Sequence, residues 1–344
     1  MKLRSLLIFS IVTSFFGVAM AQSDDDFEVP RTEYGQPDLQ GVWNFSSNTP
    51  MQRPQRYGEQ EFLTREQVEE AIERQQTRAD AADAAAATLV VDPDAPPETD
   101  NPGGYNDFWF ESAGIGDTVR TSHIVYPSDG RNPSLVEGVK RQFGGLGPDI
   151  PSMRPVRFVV GGIAKDGPED RGLSERCIVG FNSGPPFTPS LYNNNVQIFQ
   201  SRDTAVIMTE MIHDARIVTL TEKPALNDDI RLWSGDSRGW YEGDTLVVET
   251  KNFNGLRQSF GGAGSNIDAV LTERFTRMSY GTVNYEFTID DPSTFTDKIS
   301  AVVPMTKVAG QLYEYACHEG NYGMFNILRG KRVEERRETE SGGQ

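Results

Sequence analysis

The chain has 344 residues and a formal charge of −17, with 50 acidic against 33 basic residues. So acidic a surface repels nucleic acid and anionic membrane surfaces, which sets both aside as partners. The length supports one large domain or two smaller ones with room for a sizeable core.

Lys2 and Arg4 precede a short apolar run, residues 6–18, and Ala19-Met-Ala21 has the small-x-small pattern of a cleavage site. This reads as a secretory signal peptide, residues 1–21, cut before Gln22. The apolar run is too short to span a bilayer well, and no later stretch is long and apolar enough. The expectation is an exported protein, periplasmic or extracellular, with no stable membrane insertion. Removing the two basic residues takes the charge from −17 to −19. Two cysteines remain, Cys177 and Cys317. The export compartment permits a bridge between them, and two isolated buried thiols are the alternative.

Residues 22–104 read as an arm, one long surface helix and a linker. Thr64 can cap the helix, with Gln67 completing a capping box, and the alanine-rich run to Ala87 has high helix propensity. Asp, Pro and Gly from 92 to 104 form the linker. Residues 105–330 read as the main domain. The cluster at 105–110, which contains Trp109, either packs against a sheet or lines a ligand cleft. A short strand at 121–126 carries His123. The Gly/Pro-rich stretch 144–190 is expected to cover one end of the fold. From Asn195 onward the pattern alternates with period two, at 195–200, 203–212, 215–220, 244–253, 269–278, 282–290, 299–308 and 312–317. Short turns between these runs predict a mainly β fold, an antiparallel meander of about eight strands in a closed or nearly closed barrel, with a two-sheet sandwich as the alternative. A short closing helix is expected at 320–329, and a disordered tail over 331–344.

Chemically capable residues gather in three places. Gly235-Asp-Ser-Arg-Gly239 fits G-x-S-x-G, but a turn and a strand follow it, so a hairpin loop is the better reading than a nucleophile elbow. Glu210 lies on the strand at 203–212, and His213, Asp214 and Arg216 follow it. Glu210 there shares a face with apolar side chains, so it needs a partner, and Arg216 or Arg238 could supply one. Glu314 and His318 share a face in the run Tyr313-Glu-Tyr-Ala-Cys-His318. The candidate catalytic set is therefore His213, His318, Glu210, Asp214 and Asp236, with Arg216, Arg238, Trp109 and Tyr315 as substrate-binding candidates. His213 and His318 with a nearby carboxylate invite a metal reading, but no tight ligand spacing supports it. The glycine runs lack both the Rossmann and the P-loop context, so no cofactor is expected.

Pro37-Asp-Leu-Gln-Gly-Val-Trp43, Glu210-Met-Ile-His-Asp-Ala-Arg216, Gly235-Asp-Ser-Arg-Gly-Trp-Tyr-Glu-Gly-Asp-Thr-Leu-Val-Val-Glu-Thr250 and Tyr313-Glu-Tyr-Ala-Cys-His-Glu-Gly-Asn321 together resemble a family of exported bacterial proteins of unassigned function. That resemblance carries over no catalytic role. Gly41-x-Trp43 with the strand count resembles a lipocalin-type barrel, which implies a Trp plugging the barrel's base. Two functions follow as expectations. One is a cofactor-independent acid/base enzyme, a hydrolase, lyase or isomerase acting on a small organic or sugar-like substrate. The other is a lipocalin-like protein holding an apolar or aromatic ligand in the barrel mouth.

Overall fold

The computed structural model describes residues 27–88, 119–141, 162, 164–222 and 224–342. The expected signal segment, the expected linker and Trp109 lie outside the described residues. Ten strands follow in order: β1 (Gly41–Asn44), β2 (Ile124–Tyr126), β3 (Asn195–Gln200), β4 (Thr204–Thr209), β5 (Ala215–Thr219), β6 (Asp236–Glu242), β7 (Thr245–Lys251), β8 (Val270–Arg277), β9 (Thr282–Asp290) and β10 (Ile299–Val308).

Period-two alternation builds the core. Along β9, Val283, Tyr285, Phe287 and Ile289 are buried and the residues between them are half-buried. β8 alternates in the same way, burying Leu271, Glu273, Phe275 and Arg277. These faces join Ile198, Ile207, Val218, Leu246, Val248 and Met305 in one apolar core. The strands pair in the order β1-β3-β4-β5-β6-β7-β8-β9-β10, and β10 pairs back with β1. The result is a closed nine-stranded barrel with β2 as an extra strand. At the seam, β10 gives its Thr306–Val308 end to β1 and its Ser300-Ala301 end to β2.

The barrel departs from the expected eight-stranded meander at four points. β5 and β6 pair in parallel, Val218 with Ser237 and Thr219 with Arg238. Residues 220–235 therefore return along the barrel before β6 begins. The stretch expected as a hairpin loop around Ser237 is β6 itself. Residues 312–317 form no strand, because β1 already occupies the barrel's closing edge. The tail expected to be disordered is helical instead. α2 runs from Tyr322 to Gly342 and absorbs the short helix expected at 320–329. Its Arg332–Glu335 and Lys331–Glu334 pairs at i,i+3 favour that helix.

α1 (Arg65–Thr88) begins at Thr64, whose Oγ accepts from the Gln67 N–H at 3.3 Å. The Gln67 side chain accepts from the Thr64 N–H at 2.8 Å, so the two residues cap each other. No helix among the described residues is long and apolar enough to cross a membrane.

Cys177 and Cys317 form a disulfide, with Cα atoms 5.7 Å apart across a sequence separation of 140. It holds the segment after β10 against the loop at 173–179, where Asn321 Nδ2 also donates to the Glu175 carbonyl at 2.8 Å. A cross-link over a loop this long restrains the unfolded chain by roughly 4–5 kcal/mol in the loop-entropy model. Replacing both cysteines by serine is expected to lower the unfolding free energy by about 2–5 kcal/mol. Urea titration measures this. An unchanged midpoint would show that the bridge adds no net stability.

Candidate ligand-binding site

The strand ends define a base and a mouth. β1 begins at the base, where Trp43 is fully buried and its Nε1 donates to the Leu39 carbonyl at 2.8 Å. The Arg277 guanidinium lies over the ring at 4.9 Å and donates to the carbonyls of Asp38, Ser279 and Tyr280. That arrangement plugs the base. At the other end β4 and β7 finish, β5 and β8 start, and loops 181–189 and 252–269 gather.

A polar layer crosses the middle of the lumen. Alternation on β5 turns Arg216 and Val218 inward. Arg216 forms a two-pronged pair with Glu273 from β8, one prong at 3.0 Å. Tyr285 from β9 donates its hydroxyl to Glu273 at 2.8 Å and accepts the Phe187 N–H at 3.1 Å. Burial, and then the Glu273 carboxylate, push the Tyr285 phenol well above its ordinary range, so it stays a donor. Burial alone would lower Arg216. The Glu273 carboxylate more than offsets it, and the guanidinium ends above its ordinary value.

Above this layer opens a cavity of about 550 Å³, its floor set by Leu271 and Ile289 and its walls by Phe181, Pro186, Phe253 and Phe260. This volume falls within the range of small-molecule sites. The loop 252–269 shapes one side. Gly255 and Gly264 take left-handed backbone, and a Cβ on Gly264 would meet the Thr294 hydroxyl at 2.5 Å. The Asn266 N–H donates to the Arg257 carbonyl at 3.2 Å, fixing the two residues side by side. Arg257 and Asn266 both line the cavity and are buried. Arg257 donates to the Gly184 carbonyl at 2.9 Å. Burial pulls its guanidinium down to about 10, still charged at neutral pH.

No family model, curated protein or solved structure matches the chain.

The topology brings most of the expected site residues to the mouth end but disperses them there. Ile212 and His213 take left-handed backbone, with φ of 63° and 44°, between β4 and β5. His213 Nδ1 lies 3.3 Å from the Tyr315 carbonyl and 3.6 Å from Glu314. His318 is exposed, and no contact joins it to His213 among the described residues. Glu210 is partnered by Asn195, whose Nδ2 donates at 2.8 Å, rather than by Arg216 or Arg238. Asp214 is exposed and accepts from the Ser234 hydroxyl at 2.8 Å. Asp236 and Arg238 pair with each other at 3.1 Å, and Arg238 donates to the Pro224 carbonyl at 2.6 Å, which fastens the β5–β6 connection. Arg216 is committed to Glu273. Ser237 is buried in β6 and shares a hydrogen bond with Thr250 at 2.8 Å, so it sits on a strand and not on an elbow. Among the described residues, no group of three His, Cys, Asp or Glu side chains could hold a metal ion.

The sequence reading missed Arg257, Asn266 and Glu273. The rule that flagged Glu210 would have found Glu273, which sits between Leu271 and Phe275 on the apolar face of an alternating strand. Arg257 carried a weaker signal, a lone cation between Leu256 and Phe260 in a glycine-rich loop.

Proposed function

We propose that the protein is a binding protein that holds a small, largely apolar ligand in the barrel mouth. One observation carries the reading: a 550 Å³ cavity with aromatic and aliphatic walls stands open above a closed, packed barrel. Protein interiors pack tightly, so an apolar space of this size in a built barrel is the natural place for a ligand. The residues expected as an acid/base set support this reading over the enzyme, because none of them lines the cavity.

The test uses N-phenyl-1-naphthylamine, a neutral apolar dye that brightens on leaving water. The dye is expected to bind with about one equivalent per chain and to raise the melting temperature. At 100 times its Kd, mass action adds about 2.7 kcal/mol. Leu271→Trp puts an indole on the cavity floor and should abolish the brightening while the protein stays folded. Dye binding that survives this change would place the ligand elsewhere, and no binding at all would sink the proposal.

A further inference from the structure

Resting on that reading, we infer that the ligand is an amphipathic monocarboxylate whose head group is held by Arg257. Arg216 and Glu273 neutralise each other in the layer below. Arg257, buried and lining the cavity, has no carboxylate within ion-pair distance among the described residues. Among the described residues, its guanidinium donates one hydrogen bond, to the Gly184 carbonyl, which is neutral. Asp214 and Arg216 act on it only from a distance, and they oppose one another. A buried cation with no counter-charge is costly, and an anion brought by the ligand would remove that cost. Guanidinium also offers two parallel N–H donors, which match a carboxylate.

A second observation marks the cavity beside Arg257 as polar. Among the described residues, Asn266, beside Arg257 and also buried, has an amide oxygen with no hydrogen-bond partner. Asn132 has another on the cavity wall. Buried polar atoms are nearly always satisfied. The open acceptor of Asn266 beside Arg257 therefore makes a polar corner in a largely apolar cavity, and Asn132 adds a second polar point on its wall. Phe181, Phe253 and Phe260 with Leu271 and Ile289 take the apolar body, and the corner takes the head and any hydroxyl or ordered water it carries.

The experiment displaces N-phenyl-1-naphthylamine with matched pairs, decanoate against 1-decanol and 1-naphthylacetate against 2-(1-naphthyl)ethanol. In the unaltered protein each carboxylate should displace the dye at a concentration at least about 10-fold below that of its alcohol, the scale of a hydrogen bond to a charged group. Arg257→Met should erase this gap, bringing each carboxylate to the potency of its own alcohol in the same variant. Equal potency of acid and alcohol in the unaltered protein would overturn the anion assignment while leaving the apolar cavity standing. So would a gap that persists in Arg257→Met, or dye binding that neither member of a pair displaces. If the dye itself fails to bind, the cavity reading falls and this inference falls with it. The comparison in the unaltered protein needs no variant, so a poorly folding Arg257→Met leaves the test intact. Arg257→Lys, which keeps the charge and loses the fork, should then show a reduced gap.

Discussion

Replacing Glu273 by alanine is expected to lower the unfolding free energy by about 3–5 kcal/mol, among the largest effects available from one side chain in this protein. Glu273 is fully buried and accepts from both Arg216 and Tyr285. Removing it leaves a guanidinium without a counter-charge in the lumen and a phenol without an acceptor. Both would have to find water or pull the strands apart. The size of the loss reflects what is left behind, not the net worth of the pair. The double replacement Glu273→Leu with Arg216→Met removes both charges and should therefore recover most of it. Urea titration of the three proteins, read at constant slope, separates these cases. A loss below about 1 kcal/mol in Glu273→Ala would show that water already reaches this layer, and the lumen could not then be treated as a dry interior.

The same layer shows why the fold was more legible than the site. Strand periodicity depends only on which side chains face the core, so β3, β9 and β10 could be placed from their sequence to the residue. Barrel closure followed from the number of strands and their short connections. β6 escaped notice because Gly235 and Gly239 made it resemble a loop. In the barrel, a Cβ on Gly239 would meet Val218 at 2.7 Å and the Val247 carbonyl at 3.1 Å. That glycine allows the two neighbouring strands to come close, which is a non-local demand that leaves no periodic mark. Residues 312–317 failed in the opposite direction. Their alternation was real, but a strand also needs an open edge, and β1 with β2 had taken it. A disulfide and the Tyr315 contact with Glu210 hold the segment instead.

Site residues are harder to read because their roles depend on who their neighbours are. Arg216 looked available for substrate and is instead fully used by a residue 57 positions later. Arg257 passed unnoticed in its loop, and what makes it notable is that no carboxylate lies within ion-pair distance among the described residues. Neither fact is written in local sequence. Each emerges when loops that are distant in the chain meet at the mouth.

Trp43→Ala is expected to cost about 3–5 kcal/mol, the usual range for emptying a buried aromatic site. The indole is fully buried at the base and carries three interactions at once. It fills the lumen end, donates to the Leu39 carbonyl and lies under the Arg277 guanidinium. Alanine loses the contact area and opens a void. It also leaves the Leu39 carbonyl unpaired and removes the ring beneath a cation. Trp43→Phe keeps most of the filling and the aromatic face but loses the N–H donor, so it should cost only about 1–3 kcal/mol, the penalty for one buried unsatisfied acceptor. Thermal and urea unfolding measure both variants. The ligand dye supplies the control, because base and mouth lie at opposite ends of a packed barrel and Trp43→Phe should leave dye affinity unchanged. If Trp43→Phe instead weakened the dye as much as it weakened the fold, the two ends would be coupled through the lumen. The Arg216–Glu273–Tyr285 layer would then be transmitting strain between them rather than separating the plug from the cavity.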